Sequence, residues 1–535
     1  MKNIKVLDVT LRDGGCVNDF NFGSDYMNLI LSALERSGVD FIELGYLDDK
    51  KGSEFGRTQY KNEQVIKNFL KCKLPNIEYV AMMDYGKFDV SKLAPRTEND
   101  IDGIRVTFHK KNWRDIVNIG KHIMAKGYKF YIQPMITLRY SDSELLDLIK
   151  CVNEELSQAS GFYIVDSFGE MRNNDVVRIL HLIDHNLISS MPVGFHSHNN
   201  LQLSYSNAMT MLSFSTNRNL MLDSSIMGMG KGAGNLNTEL LLEHLNLFYD
   251  KHYALAPLME VIDQVIEVIH KEMYWGYSVE YYLSSINHCT PTYASHFYNK
   301  HMLSIDQLSE LLSMIPEDKR ISFDKDFAER LYYQYNTMKG INDSETITQI
   351  INAVSGKKVL LIAPGKSINK YESKILEKIH EDGIISISLN NFKFATDFIM
   401  ATREEIIKKC IDKRTSAIVT SNANVMSNTI NNFYILNYSH WIEKFEDKIY
   451  DSSAVIILKV LSVCKPDIVY LAGFDGFSEN INNNYYTNTM RKVLNQQQAE
   501  QNNKFYTMLL HQLGNKMKIE FITPSLYQTE ASEKA

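Results

Sequence analysis

A chain of 535 residues exceeds the size at which one hydrophobic core keeps growing, about 250–300 residues, so at least two domains are expected. Hydrophobic residues at 44% and charged residues at 23% are globular proportions, which excludes a disordered or fibrous chain. Lys and Arg total 57 against 64 Asp and Glu, a formal charge of −7, so no broad attraction to nucleic acid or anionic lipid is expected and any basic site must be local.

From the N-terminus to about residue 245, short β-rich runs alternate with helix-length amphipathic stretches, the pattern of parallel strands joined by crossover helices. Eight strands are predicted, at 5–13, 41–47, 78–84, 103–109, 130–137, 161–166, 193–198 and 221–227. Eight such units in this length match a closed (β/α)8 TIM barrel better than a doubly wound sheet. In that fold the chemistry lies where strands end. Those ends read Asp13, Glu43, Asp84, His109, Thr137, Asp166, His196 with His198, and Asp223.

Over 253–340 the pattern becomes helical and Tyr-rich, with apolar spacings of three and four at 305–315 and 323–335, which predicts a helical appendage to a barrel domain spanning 1–252. The stretch 342–356 reads as a last helix and a linker. A second α/β pattern follows, with strands at 357–363, 384–389, 416–420 and 468–472 and a helix at 371–380. Residues 357–535 are therefore expected to form a smaller open α/β, Rossmann-like domain. The Asn-rich run 480–484 and the tail after Thr529 read as loop and disordered end.

Cys16, Cys72, Cys151, Cys289, Cys410 and Cys464 show no short CxxC spacing, so neither a zinc knuckle nor a disulfide framework is suggested and a cytoplasmic setting is expected. The first residues lack the pattern of a signal peptide. The apolar run 455–463 is interrupted by Lys459 and falls well short of the roughly 20 residues that span a bilayer, so no membrane anchor is expected.

Three segments carry chemistry. Thr10-Leu11-Arg12-Asp13-Gly14-Gly15 closes the first strand with a cation and an anion at the barrel mouth. In Gly194-Phe195-His196-Ser197-His198-Asn199, the period-two alternation sends both imidazoles to one face. With Asp13 they form an oxygen-and-nitrogen set suited to a divalent ion such as Mn²⁺ or Mg²⁺ that keeps positions open for substrate. The third segment, Gly228 to Asn235, superficially resembles a dinucleotide fingerprint, but no ribose-binding acid follows in a βαβ unit. It reads better as a tight turn that places Asn235 and backbone amides over the mouth.

These motifs, together with the turn Asp166-Ser167-Phe168-Gly169, resemble the DRE-TIM (HMGL-like) metallolyases over about residues 4 to 300, and within them most resemble 4-hydroxy-2-oxovalerate aldolases. The resemblance implies a (β/α)8 barrel that makes or breaks a carbon–carbon bond beside a 2-oxo acid. It implies that Asp13, His196 and His198 hold the metal with Asn235 as a further ligand. Arg12 would stabilise an enolate, and Ser167 would contact the carboxylate of the 2-oxo acid; a serine in such a turn is otherwise commonly a cap. The aldolases carry a histidine base where this chain has Cys16, so His109, His288 or a metal-bound water is expected to take the proton. A Claisen-type synthase and a non-catalytic binding protein are the alternatives.

In the second domain, Pro364-Gly365-Lys366-Ser367 could present amides to a phosphate at a helix start, and a later turn carries Asp475. The stretch around that turn faintly resembles those of Rossmann-like pterin pyrophosphokinases and bacterial sialyltransferases, and the full P-loop spacing is missing. A nucleotide or nucleotide-sugar site at Gly365, Lys366, Ser367 and Asp475 is therefore expected beside tight turns as the plain alternative. The expected partners are a 2-oxo acid and an aldehyde at the barrel and a second copy of the chain in a homo-oligomer, with no nucleic acid and no membrane.

Overall fold

The computed structural model describes all residues except 1–2, 53–54, 71, 301–302, 339, 424–431, 447, 488–495 and 529–535, so the tail expected after Thr529 lies outside the described residues. Backbone contacts gather the chain into two units, Met1–Ala294 and Ser295–Ala535. The helical stretch 253–340 is thus shared between them.

The first unit is built on eight parallel strands: β1 (Ile4–Asp8), β2 (Phe41–Leu47), β3 (Glu78–Asp84), β4 (Gly103–Phe108), β5 (Lys129–Pro134), β6 (Gly161–Asp166), β7 (Val193–Ser197) and β8 (Leu220–Ser224). Each pairs with the next, and β8 pairs with β1, which pairs with β2, so the sheet closes into a barrel. Helices such as Gly23–Ser37, Asp142–Glu155 and Asn173–Asn186 cover its outside. Strands buried on both faces are mostly apolar, as β4 and β6 are: both are buried at every position and are apolar but for Arg105, Thr107 and Asp166.

The barrel interior is filled at one level by Leu7, Val9, Phe41, Val80, Tyr131, Tyr163, Val165 and Met221. Above this apolar plug lies a charged layer, described below. Several predicted strands overran their observed ends: 5–13 stops at Asp8, because Arg12, Asp13 and Gly14 turn their amides back to the Val9 carbonyl. At strand ends, turn hydrogen bonds prevail over side-chain alternation.

The second unit holds a seven-stranded parallel sheet: β9 (Lys358–Ile362), β10 (Ile384–Leu389), β11 (Phe398–Met400), β12 (Ala417–Thr420), β13 (Phe433–Leu436), β14 (Ile468–Ala472) and β15 (Ile519–Phe521). Its order is 13-12-11-10-9-14-15. Four of these strands match sequence expectation; β11, β13 and β15, three or four residues long, are additional to it and carry little periodic signal. The apolar run at 455–463 is the interior of a buried helix, Ser453–Cys464. No helix among the described residues is long and apolar enough to cross a membrane.

Candidate metal centre

Asp13 follows β1, and His196 and Ser197 end β7, with His198 just beyond. One ligand atom from each of Asp13, His196 and His198 lies within 4.8 Å of the others, and all three residues are buried. The two imidazole rings are 5.2 Å apart and nearly perpendicular. Such a pair opens toward a common point rather than stacking.

Asp13 is saturated with donors. Its Oδ1 accepts from Arg12 Nη1 at 2.6 Å, and its Oδ2 from Asn235 Nδ2 at 2.7 Å and from the Lys231 amide at 3.3 Å. Burial alone would raise its pKa, but Arg12, the two histidines and the Asn235 hydrogen bond together outweigh it and hold the carboxyl well below the usual carboxylate range. Burial pushes His198 down to about 4, so its ring is neutral and can ligate at neutral pH.

The donor set fits a divalent ion in two further respects. Asn235 Oδ1 is buried without a hydrogen-bond partner, an unused lone pair beside the acid. Gly230 keeps the space open: a Cβ there would stand 2.2 Å from Asn235 Nδ2 and 2.6 Å from Asp13 Oδ2. The Gly228–Asn235 segment is thus a turn that delivers Asn235, and the Asn235 amide itself closes on the Gly228 carbonyl at 2.9 Å.

Behind these ligands runs a line of buried charges. Arg12 Nε donates to Glu43 Oε2 at 2.6 Å, Arg105 pairs with Glu43 Oε1 at 2.9 Å and with Asp223, and Asp223 Oδ2 lies 3.0 Å from His196 Nδ1. Four strands and the turn after β1 therefore contribute to one alternating network of two guanidiniums and three carboxylates. Burial works against charge on Arg12, but Glu43 and Asp13 prevail and hold it firmly protonated. Its Nη2 is buried and unpartnered. The guanidinium also lies over the Tyr46 ring, 5.7 Å from its centroid.

The remaining expected residues separate. Ser167 Oγ accepts the Ile136 amide at 3.1 Å, and Ile136 has a left-handed φ of 53°, so this serine pins a strained turn after β5. Asp166 accepts the amides of Glu170 and Met171 at 2.9 and 3.1 Å, and burial raises its pKa to about 7. His109 is half-buried at the end of β4, where burial and then Lys111 lower its pKa against the opposing charge of Asp84. His288 lies on the surface, with Nδ1 2.7 Å from Glu170 Oε2. Cys16 is solvent-accessible, yet the crowding of the surrounding protein and then the charge of Asp13 push its thiol up to about 12.

Two participants escaped sequence reasoning, Arg105 and Tyr46. Arg105 had a readable signal, a lone charge in the middle of an otherwise uncharged strand. Tyr46 had none, since an aromatic residue in a β-run is ordinary.

In the second unit the expected turn is closed by the protein itself. Asp475 Oδ2 accepts the Ser367 amide at 2.7 Å, and Ser367 Oγ donates to the same carboxylate. The helix that starts there, Ser367–Lys370, is a single turn. Lys366 Nζ donates to Asn483 Oδ1 at 3.0 Å, and Gly365 packs on the Gly473 carbonyl.

The closed eight-stranded barrel thus gathers two histidines and a carboxylate that could hold a metal ion, with a guanidinium beside them, at the C-terminal mouth where such barrels carry their chemistry. Residues 3–265 match the model of the HMGL-like family. The 4-hydroxy-2-oxovalerate aldolase of Carboxydothermus hydrogenoformans is 28% identical over 272 residues, covering 50% of this chain and 77% of that enzyme. The enzyme of the same name from Pseudoalteromonas translucida is 25% identical over 295 residues, covering 52% and 83% respectively. Among solved structures, the N-terminal domain of a putative aldolase from Bacteroides vulgatus is 26% identical, covers 55% of this chain and 96% of that domain, and superposes with a TM-score of 0.47. The N-terminal half of the chain is accordingly a carbon–carbon lyase of the aldolase kind.

Proposed function

We propose that the barrel is a divalent-metal-dependent aldolase that cleaves or forms the C3–C4 bond of a 4-hydroxy-2-oxo acid, releasing or consuming a 2-oxo acid and an aldehyde. The observation that carries this reading is the buried, unpartnered Nη2 of Arg12 beside the cluster of Asp13, His196 and His198. Those three residues with Asn235 would hold Mn²⁺ or Mg²⁺, which when bound polarises the 2-oxo group and offsets negative charge.

This chain's own residues supply the rest. A base accepts the C4 hydroxyl proton, the freed O–H pair forms the second C–O bond of the aldehyde, and the C3–C4 pair becomes the C2–C3 double bond of an enolate as the 2-oxo π pair moves onto its oxygen. Arg12, fixed by Glu43 and Asp13 on its other nitrogens, presents Nη2 to the developing oxyanion, a donor already in place before charge appears. Return of a proton to C3 completes the 2-oxo acid. Ser167, in its strained turn, orders the wall at which the carboxylate would sit.

His109 is the base we favour, because its lowered pKa leaves it neutral at pH 7 and half-buried at a strand end. His288, tied to Glu170, is the second candidate, and Cys16 stays protonated. The test is pyruvate release from 4-hydroxy-2-oxovalerate with added Mn²⁺, alongside exchange of C3 protons of pyruvate into D₂O. No exchange with either Mn²⁺ or Mg²⁺ overturns the reading. A base must be unprotonated, and burial holds His109 below its ordinary 6.5, so kcat should fall only as pH drops below about 6.5. His109→Gln should remove that acid limb and cost about 10²- to 10⁴-fold.

For the second unit we infer a Rossmann-like domain that binds a nucleotide or nucleotide-sugar. Its parallel sheet, with the first strand central and the chain winding outward to both sides, supports this.

A further inference from the structure

The second unit encloses a cavity of about 220 Å³ whose position follows from the sheet. The chain leaves β9, winds outward through β10 to β13, and then returns to add β14 and β15 on the other side. The connections after β9 and β14 therefore lead to opposite sides of the pair, leaving a crevice at the carboxyl ends of these neighbouring strands, where open parallel sheets take their ligands. Ala363 to Gly365 and Gly473 to Phe477 border the cavity. The two loops touch as bare backbone: Gly473 has a φ of 73°, and a Cβ there would stand 2.1 Å from the Ala363 carbonyl oxygen.

One wall is aromatic. The rings of Phe477, Tyr506 and Tyr527 follow one another with centroids 5.9 and 5.7 Å apart. Tyr506 shares a hydrogen bond with Ser452 Oγ at 2.6 Å, and Tyr527 donates to Asn503 Oδ1 at 3.2 Å. With the hydroxyls engaged inside the protein, these residues offer mainly apolar ring to the space.

The other wall carries charges of both signs, most of them engaged inside the protein. Asp451 accepts the hydroxyls of Tyr332 and Tyr438 at 3.0 and 2.7 Å, Asp475 is held by Ser367, and Lys300 sits on Glu329 at 3.0 Å. Arg403 is different: its nearest acid, Glu405, is 3.3 Å away and largely in solvent, which offsets little of its charge. Beside it opens helix Ser453–Cys464, whose N-cap Ser452 takes the Val455 amide. The amides of Ser453 and Ala454, both lining the cavity, have no acceptor within the helix.

We propose that this cavity binds a nucleotide, with the base against Phe477, Tyr506 and Tyr527 and the phosphate between Arg403 and the start of helix Ser453–Cys464. The proposal rests on reading the second unit as a nucleotide-binding domain. It places the phosphate away from the 364–367 turn, where Asp475 already holds the anion position.

The experiment is calorimetric titration of the full chain with the four ribonucleoside diphosphates, each beside its nucleoside, and with inorganic pyrophosphate. At least one diphosphate should bind with a Kd below about 100 μM, and its nucleoside and pyrophosphate should each bind at least about tenfold more weakly. Arg403→Gln should raise the diphosphate Kd about 10- to 100-fold and leave the nucleoside unaffected, as expected for losing a charged hydrogen bond. Ala454→Asp should abolish diphosphate binding while keeping the melting temperature, because an acid suits a helix start but repels phosphate. Lys366→Ala should change nothing. If no diphosphate binds the native chain, both the domain reading and the site fall. If binding survives Arg403→Gln and Ala454→Asp but is lost in Lys366→Ala, the domain reading stands and the cavity is the wrong place. Pyrophosphate binding as tightly as the best diphosphate would overturn the role of the aromatic wall.

Discussion

Both units rest on parallel sheets, yet only one of them closes. In the barrel the pairing of β8 with β1 brings the ends of β1, β2, β4, β7 and β8 to one mouth, so side chains far apart in sequence meet in a single charged layer. In the open sheet the strand ends lie in a row, and the space arises where the winding reverses, between two loops. The comparison teaches where each unit keeps its chemistry. A closed sheet stores it in strand-end side chains, and an open one in loop backbone and in residues arriving from helices.

That contrast is sharpest at the ligands. His196→Ala or His198→Ala should strip the divalent ion and cut turnover by at least about 10³-fold, the worth of several kcal/mol of charge stabilisation, with the barrel still folded. Elemental analysis beside circular dichroism checks this; full metal stoichiometry in both variants would remove them as ligands. Arg12→Lys comes next, at about 10²- to 10³-fold in kcat with metal retained, because an ammonium cannot hold Glu43 and Asp13 and still aim a third donor. Near-native kcat would make Arg12 a structural residue.

A smaller loss is expected behind the ligands. Asp223→Asn weakens the partner of His196 Nδ1 and leaves Arg105 with Glu43 as its one remaining carboxylate, so metal affinity should fall about 10- to 100-fold, read by competition with a chelating dye. An unchanged affinity would show that Arg105 and Asp223 serve only the fold. The smallest effect is expected at Cys16: a thiol with its pKa near 12 is not a base at neutral pH, and Cys16→Ser should alter kcat less than about threefold. A collapse of kcat confined to this variant would return the proton-transfer role to Cys16.

Much of the barrel was legible because its strands are buried on both faces and separated by amphipathic helices, which leaves a strong pattern in the residues. The clustering of Asp13, His196 and His198 was legible for a related reason: they fall at strand ends, and the two histidines are spaced for one face. The inner strand β11 and the edge strands β13 and β15 were not legible, since three or four residues show little of a period. The destination of a hydrogen bond was equally hidden. Ser167 faces the Ile136 amide and His288 faces Glu170, and no sequence spacing foretells either partner.

The sequence by itself determined that two α/β units exist, that the first is a (β/α)8 barrel, and that a carboxylate and two imidazoles stand at its mouth. Hydrophobic periodicity and strand alternation are local properties, written over a few consecutive residues. Only the tertiary structure decided that Arg105 bridges Glu43 and Asp223 beneath those ligands, and that Asp475 caps the 364–367 turn. Only it, too, showed that Arg403 lines a cavity with rings from beyond residue 476. Each of these joins residues tens of positions apart, and electrostatic pairing at that separation is fixed by how the strands close and wind, which no local pattern contains.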